Sequence, residues 1–256
     1  MTAALEPMLR TDRVQRQFGG VLAVNDVSLD VPRASVTGII GPNGAGKTTL
    51  LNVIAGADTS DSGHVYLEGR DITGLAPHQI ARLGVIRTFQ RAGIFPSLST
   101  IENVLVGILD CSHESVASAL RGPASWRRVE SEPVERAWEL LDRFGLAALA
   151  DHPAGTLSGG QRRLVELTRA VLMRPKVMLL DEPMAGVSPA FIPVLLDFLR
   201  SMSADGVTVV MIEHDLAVVE DICHTVVFMA RGEVLATGGV SEVLRHPAVQ
   251  AVAHGY

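Results

Sequence analysis

The chain has 256 residues, 47% of them apolar, and a formal net charge of −6. That length and apolar share suit one large domain, or a domain with an inserted subdomain, and exclude a disordered chain. The negative balance gives nucleic-acid binding no electrostatic support, and Cys111, Cys223 and eight scattered histidines show no metal-ligand spacing, as in a reducing compartment.

Met1 to Met8 has no basic start and no long apolar stretch, so it does not read as a signal peptide. No apolar run approaches the roughly eighteen residues that span a bilayer. The expectation is a cytoplasmic chain that reaches a membrane only through a partner. Met8 to Val31 carries alternating and β-branched segments around Gly19-Gly20, with Pro32 after Val31, which predicts antiparallel strands near an edge. Phe18 stands just before that turn, where composition alone reads it as core packing.

Val36 to Ile40 is a short β-branched apolar run, the pattern of a buried parallel strand. Next comes Gly41-Pro42-Asn43-Gly44-Ala45-Gly46-Lys47-Thr48-Thr49, then a helical run to Ala55 ended by Gly56. This is G-x-x-x-x-G-K-[ST] between strand and helix, a phosphate-binding loop. Its glycines let the backbone approach an anion, and loop N–H groups and the helix N-terminus face the phosphates. Lys47 would reach the β- and γ-phosphates, and the Thr48 hydroxyl would hold Mg²⁺.

His64 to Glu68 and Gly84 to Phe89 read as strands, and Pro77 to Leu83 as a short helix. Gln90 follows a strand end, where its amide can position water or ligate a metal. From Ile94 to about Thr156 the texture is helical: Leu98 to Val106 with Ser99 or Thr100 as cap, and Pro133 to Phe144 with Ala137, Leu140, Leu141 and Phe144 on one face. Residues from about 110 to 132 have weak periodicity. The segment 94–156 reads as an inserted helical subdomain within a core of 1–93 and 157–256.

Leu157-Ser158-Gly159-Gly160-Gln161 opens another helix, with Pro175 past its end. Val177 to Leu180 is a buried strand running into Asp181 and Glu182, and Pro189 to Met202 is a helix. Val207 to Ile212 is a further buried strand, ending at Glu213-His214-Asp215, before a short helix and strands near 224–230 and 233–237. Alternating strands and helices, with apolar strands, predict a parallel sheet covered on both faces. In such a sheet ligands sit beyond the C-terminal strand ends, where Asp181, Glu182 and His214 emerge. Asp181 would hold Mg²⁺, Glu182 could take a proton from attacking water, and His214 could contact a γ-phosphate. Ser158 and the two glycines at a helix N-terminus form a second anion site. One triphosphate needs only one such site from a chain, so the second should serve another subunit's nucleotide.

The phosphate loop, Gln90, LSGGQ, the acid pair and His214, in this order, resemble an ATP-binding cassette ATPase over roughly residues 8–245. The resemblance implies an α/β fold: a RecA-like P-loop NTPase core with a parallel sheet, an N-terminal antiparallel β part and an inserted α-helical subdomain. It implies that Phe18 stacks on adenine and that Gly41 to Thr49 cradle the phosphates of ATP. Gln90 would sense the γ-phosphate and Mg²⁺, and Ser158 and Gly160 would cap the γ-phosphate of the opposite subunit. Asp181 would support Mg²⁺, Glu182 would be the base, and His214 would hold the γ-phosphate. Ser188 departs from the family, which commonly has an aspartate there that crosses the dimer interface.

Phe18-Gly-Gly, Arg87-Thr-Phe-Gln90, the long insert after Val104-Leu-Val-Gly107 and Glu182-Pro-Met-Ala-Gly186 resemble the ATPase subunits of branched-chain amino-acid importers. The short end Glu242 to Pro247 is similar too. Importers for amides or urea and the lipopolysaccharide-export ATPase share several of these features, and the soluble iron–sulphur-assembly cassette is of similar size. The implied partners are transmembrane permease subunits, a second ATPase subunit (identical or paralogous) and, indirectly, an extracytoplasmic solute-binding protein, with no nucleic acid. The implied place is the cytoplasmic face of the inner membrane.

Overall fold

A computed structural model describes residues 6–88, 93–108 and 131–253. In chain order the elements are β1 (Leu9–Phe18), β2 (Val21–Val31), β3 (Val36–Ile40), α1 (Lys47–Ile54), β4 (Ser62–Leu67), β5 (Arg70–Asp71), α2 (Pro77–Arg82) and β6 (Val85–Arg87). Then come α3 (Thr100–Leu105), α4 (Ser131–Arg143), α5 (Gly159–Leu172), β7 (Val177–Asp181), α6 (Ile192–Ala204) and β8 (Thr208–Ile212). The chain closes with α7 (Leu216–Ile222), β9 (Thr225–Ala230), β10 (Glu233–Gly238), α8 (Val240–Arg245) and α9 (Pro247–Ala253). It divides into two compact units: Met1–Gln90 with Lys176–Ala185 and Leu196–Tyr256, and Arg91–Pro175 with Gly186–Leu195. The segment 94–156 lies inside the second.

The first unit holds two sheets. One is four-stranded and wholly antiparallel, in the order β2-β1-β4-β5, with β2 at the edge as its flanking Pro32 predicts. The other is six-stranded, in the order β10-β9-β3-β8-β7-β6. Its strands β9, β3, β8, β7 and β6 run parallel, and every residue of β3, β7 and β8 is buried, as strands covered on both faces must be. Only β10 departs, pairing antiparallel with β9. The cause is local: Arg231 (φ 51) and Gly232 (φ 84) both take left-handed backbone in a two-residue turn, which folds the chain straight back on itself.

Strand periodicity divides the core. Ile39, Val227 and Met229 join Leu50, Leu51 and Ile54 of α1 and Val14, Val24 and Val27 of the antiparallel sheet in one apolar cluster. Their neighbours in sequence, Ile40, Val226 and Phe228, join Val219, Val243 and Val249 in the other. Truncating a fully buried leucine such as Leu50 costs about 2–5 kcal/mol. That packing holds α1 and the strand ends in place.

The described residues of the second unit are mainly helical. Ala137, Leu140 and Leu141 of α4, with Phe144 just beyond it, are all buried, the face their spacing predicts. Ser99 caps α3, its Oγ accepting the Glu102 N–H at 3.3 Å while Glu102 accepts the Ser99 N–H at 2.7 Å. Arg169 of α5 donates to Asn103 O and Gly93 O, both at 2.7 Å.

Candidate functional site

The loop from β3 into α1 is shaped by two glycines. Gly41 has φ 141, and a Cβ there would lie 2.0 Å from Met229 O; Gly46 has φ 97, and its Cβ would lie 2.1 Å from Ala23 O. No other residue type fits either position without moving backbone. Gly46 also precedes α1 with no side-chain cap, so the helix's first N–H groups are left to an anion. Pro42, Asn43, Gly44 and Thr48 are exposed, Thr49 is partly so, and Ala45 is buried.

Lys47 is only 6% exposed, and its ammonium donates to Gly41 O at 2.8 Å and Pro42 O at 2.9 Å. Burial pulls its pKa down, while Glu182 and Asp181 push it back up. These two carbonyls satisfy the charge locally, and a phosphate arriving in the loop offers it a stronger acceptor.

The parallel register sets Asp181 beside Ile212, so β7 and β8 deliver their following residues to one sheet edge. Asp181 is 2% exposed. Its Oδ2 lies 3.5 Å from Arg87 Nη2, while Oδ1 is buried with no hydrogen-bond partner among the described residues. A buried acceptor left unpaired is costly, and with the exposed Thr48 hydroxyl it supplies hard oxygen ligands that fit Mg²⁺. Arg87 also hydrogen-bonds Asn52 Oδ1 on α1, and Asn52 donates to Asp58 Oδ2 at 3.0 Å. The arginine ties the loop's helix to the acid strand.

Glu182 sits at φ 48 with its N–H on Ile212 O at 3.1 Å, and its Oε1 lies 3.0 Å from His214 Nε2. Both side chains are partly exposed, so the pair faces solvent where a ligand can enter. Phe18, ending β1, is 44% exposed. The Arg16 guanidinium lies 4.6 Å from its ring centroid and pairs with Asp61 at 3.0 Å and Asp58 at 3.6 Å. Core packing does not describe this ring, which can stack on a flat partner.

In the second unit Ser158 caps α5. Its Oγ accepts the Gln161 N–H at 3.3 Å, and Gln161 Oε1 accepts the Ser158 N–H at 2.9 Å. That arrangement leaves the serine's own O–H, and the Gly159 and Gly160 N–H groups of the first turn, for an external acceptor. A Cβ on Gly160 would lie 2.6 Å from the Phe191 ring, so the second glycine is also needed for packing. Ser188 is exposed and precedes a 3₁₀ turn, Pro189–Phe191, where a continuous helix is predicted. Gln90 lies outside the described residues.

Phosphate loop, acid pair and histidine therefore meet at one sheet edge of the first unit. Asn52, Arg87 and Glu213 belong to the same neighbourhood, and sequence reasoning assigns none of them a role, although Arg87 stands in Arg87-Thr-Phe-Gln90 and Glu213 precedes His214.

A phosphate loop feeding a parallel sheet, with a strand-end acid pair and histidine beside it, defines a nucleotide-hydrolysing cassette. The ABC transporter family profile matches residues 24–185, and the chain belongs to that family, as an ATP-binding cassette that hydrolyses ATP. It is 37% identical over 239 residues to the Methanocaldococcus jannaschii protein named probable branched-chain amino acid transport ATP-binding protein LivG, covering 93% of this chain and 92% of that one. It is also 37% identical over 244 residues to the Pseudomonas aeruginosa high-affinity branched-chain amino acid transport ATP-binding protein BraF, covering 95% and 96%. Among solved structures, the ADP conformation of an ATP-binding cassette of an ABC transporter superposes with a TM-score of 0.85 at 38% identity, covering 97% of this chain and 99% of that one.

Proposed function

We propose that this chain is the ATP-hydrolysing subunit of an importer of branched-chain amino acids, working at the cytoplasmic face of the membrane. The observation that carries the substrate class is the end-to-end match to branched-chain amino acid transport ATP-binding proteins. Among the described residues no helix is long and apolar enough to cross a membrane, so force would pass to separate permease subunits.

In this reading Phe18 stacks on adenine, and the N–H groups of Gly41 to Thr49 bind the phosphates. Lys47 exchanges its two loop carbonyls for β- and γ-oxygens. Thr48, Asp181 and Gln90 hold Mg²⁺, which when bound neutralises charge on the phosphate oxygens. Glu182 orients a water and takes its proton, while His214 contacts the γ-phosphate and keeps Glu182 in place. Ser158, Gly159, Gly160 and Gln161 face the γ-phosphate held by a second ATPase subunit. Nucleotide binding and closure of that pair are then thermodynamically linked, and hydrolysis reopens it. An extracytoplasmic binding protein would select the solute.

The test is co-purification from detergent-solubilised membranes, followed by reconstitution with the partners recovered. The expected result is a multi-span permease and an ATPase rate raised by leucine, isoleucine or valine together with the binding protein. Stimulation by urea or amides alone, a lipopolysaccharide-linked partner, or a soluble iron–sulphur assembly partner would overturn the substrate assignment.

A further inference from the structure

Glu213 follows the five buried residues of β8 and is itself only 5% exposed. Burying such a group is costly unless its oxygens are hydrogen-bonded. Here both are. Oε1 accepts the Met184 N–H at 3.1 Å, and Oε2 accepts the His214 N–H at 3.2 Å. Met184 lies in the turn that begins at Glu182, closed by the Ala185 N–H on Glu182 O at 3.0 Å.

Glu182 needs this support. Left-handed backbone at a non-glycine residue is strained and persists only where the surroundings over-determine it. Its conformation is held by its own N–H on Ile212 O, by the turn bond, and by Glu213 on Met184. The same carboxylate fixes the backbone at which His214 begins. An apolar residue at 213 would leave two N–H groups without this acceptor, and an unpaired N–H is costly wherever it is buried.

We propose that Glu213 is a positioning residue for hydrolysis, setting the Glu182–His214 geometry by clamping the two backbone segments that carry them. The proposal rests on the reading of Glu182 and His214 as hydrolytic groups. Burial pushes the Glu213 carboxyl upward, and the two N–H bonds offset part of that shift. Neighbouring Cys223 takes no part as a nucleophile: burial, with Glu213 adding to it, pushes its thiol to about 12.

The experiment measures steady-state ATPase kinetics, fluorescent ATP-analogue binding and melting of the full-length chain with its partners, for Glu213→Ala, Glu213→Gln, Glu182→Gln and His214→Ala. Glu213→Ala should lower kcat about tenfold or more while KM for ATP and analogue affinity stay within about twofold. Glu213→Gln should fall between, because its amide has one acceptor oxygen for two N–H groups. A merely structural role would lower melting temperature and leave kcat per folded molecule unchanged. If Glu213→Ala does not fold, Glu213→Gln decides: kcat reduced about threefold or more at constant KM supports the clamp, and unchanged kcat overturns it. If Glu182→Gln and His214→Ala themselves keep full turnover, the reading of the hydrolytic pair fails instead, independently of Glu213.

Discussion

His214 Nε2 stands 3.0 Å from Glu182 Oε1, although 32 residues separate the two in the chain. The contact follows from register. Parallel pairing sets Asp181 beside Ile212, which brings the residues after both strands to one edge. Glu182→Gln should therefore keep ATP binding but slow turnover about 10²–10⁴-fold, the span of a lost general base. ATPase rate and gel filtration with ATP and Mg²⁺ check it, with a trapped closed dimer expected. Near-normal turnover would remove Glu182 from the mechanism.

Ser158→Arg puts a long cation at the start of α5 in place of a capping hydroxyl. Single-subunit nucleotide binding should survive, since the phosphate loop is untouched, while ATP-dependent pairing and hydrolysis should be lost. Normal hydrolysis by this variant would rule out a site completed by a second subunit.

Two loop glycines should behave differently. At Gly46 an added Cβ meets Ala23 O at 2.1 Å with φ 97, whereas at Gly44 (φ 78) nothing lies within 4 Å. Gly44→Ala should cost only the left-handed strain, about 1–2 kcal/mol, lowering Tm by a few degrees with nucleotide still bound. Gly46→Ala should abolish nucleotide binding and lower Tm further. Equal effects, read by calorimetry and analogue binding, would contradict the loop geometry.

Stability should also report on Glu213. Burial raises its pKa above the ordinary 4.5, so the folded chain holds that proton more tightly than the unfolded chain. Its contribution is fully present below the unfolded value and is lost as pH rises through the folded one. Glu213→Gln removes the titration, so Tm of the variant minus Tm of the parent should increase as pH rises above about 4.5. A difference independent of pH would mean that Glu213 is not raised.

The parts of the site legible in sequence are those whose chemistry is local. The phosphate loop is nine consecutive residues, and both glycines that its turn demands lie inside it. Ser158 and Gln161 are three apart, so their reciprocal cap follows from spacing alone. The antiparallel turn of β10 is local too, but its signal is weaker, an Arg-Gly pair in place of Asn-Gly or Asp-Gly. Arg87 and Asp181 lie 94 residues apart, and nothing near either residue names the other.

By itself, the sequence determines which residue types stand at the ends of which strands, because apolar runs, glycines and caps act within a few residues. It therefore specifies a nucleotide-hydrolysing cassette. Only the tertiary structure decides how those strand ends meet. Register across β7 and β8 brings His214 to Glu182, α1 brings Asn52 to Arg87, and burial turns Glu213 from one more acid into an acceptor for two backbone N–H groups. Hydrogen bonds reach about 3 Å, so partners tens of residues apart are chosen by packing and not by spacing along the chain.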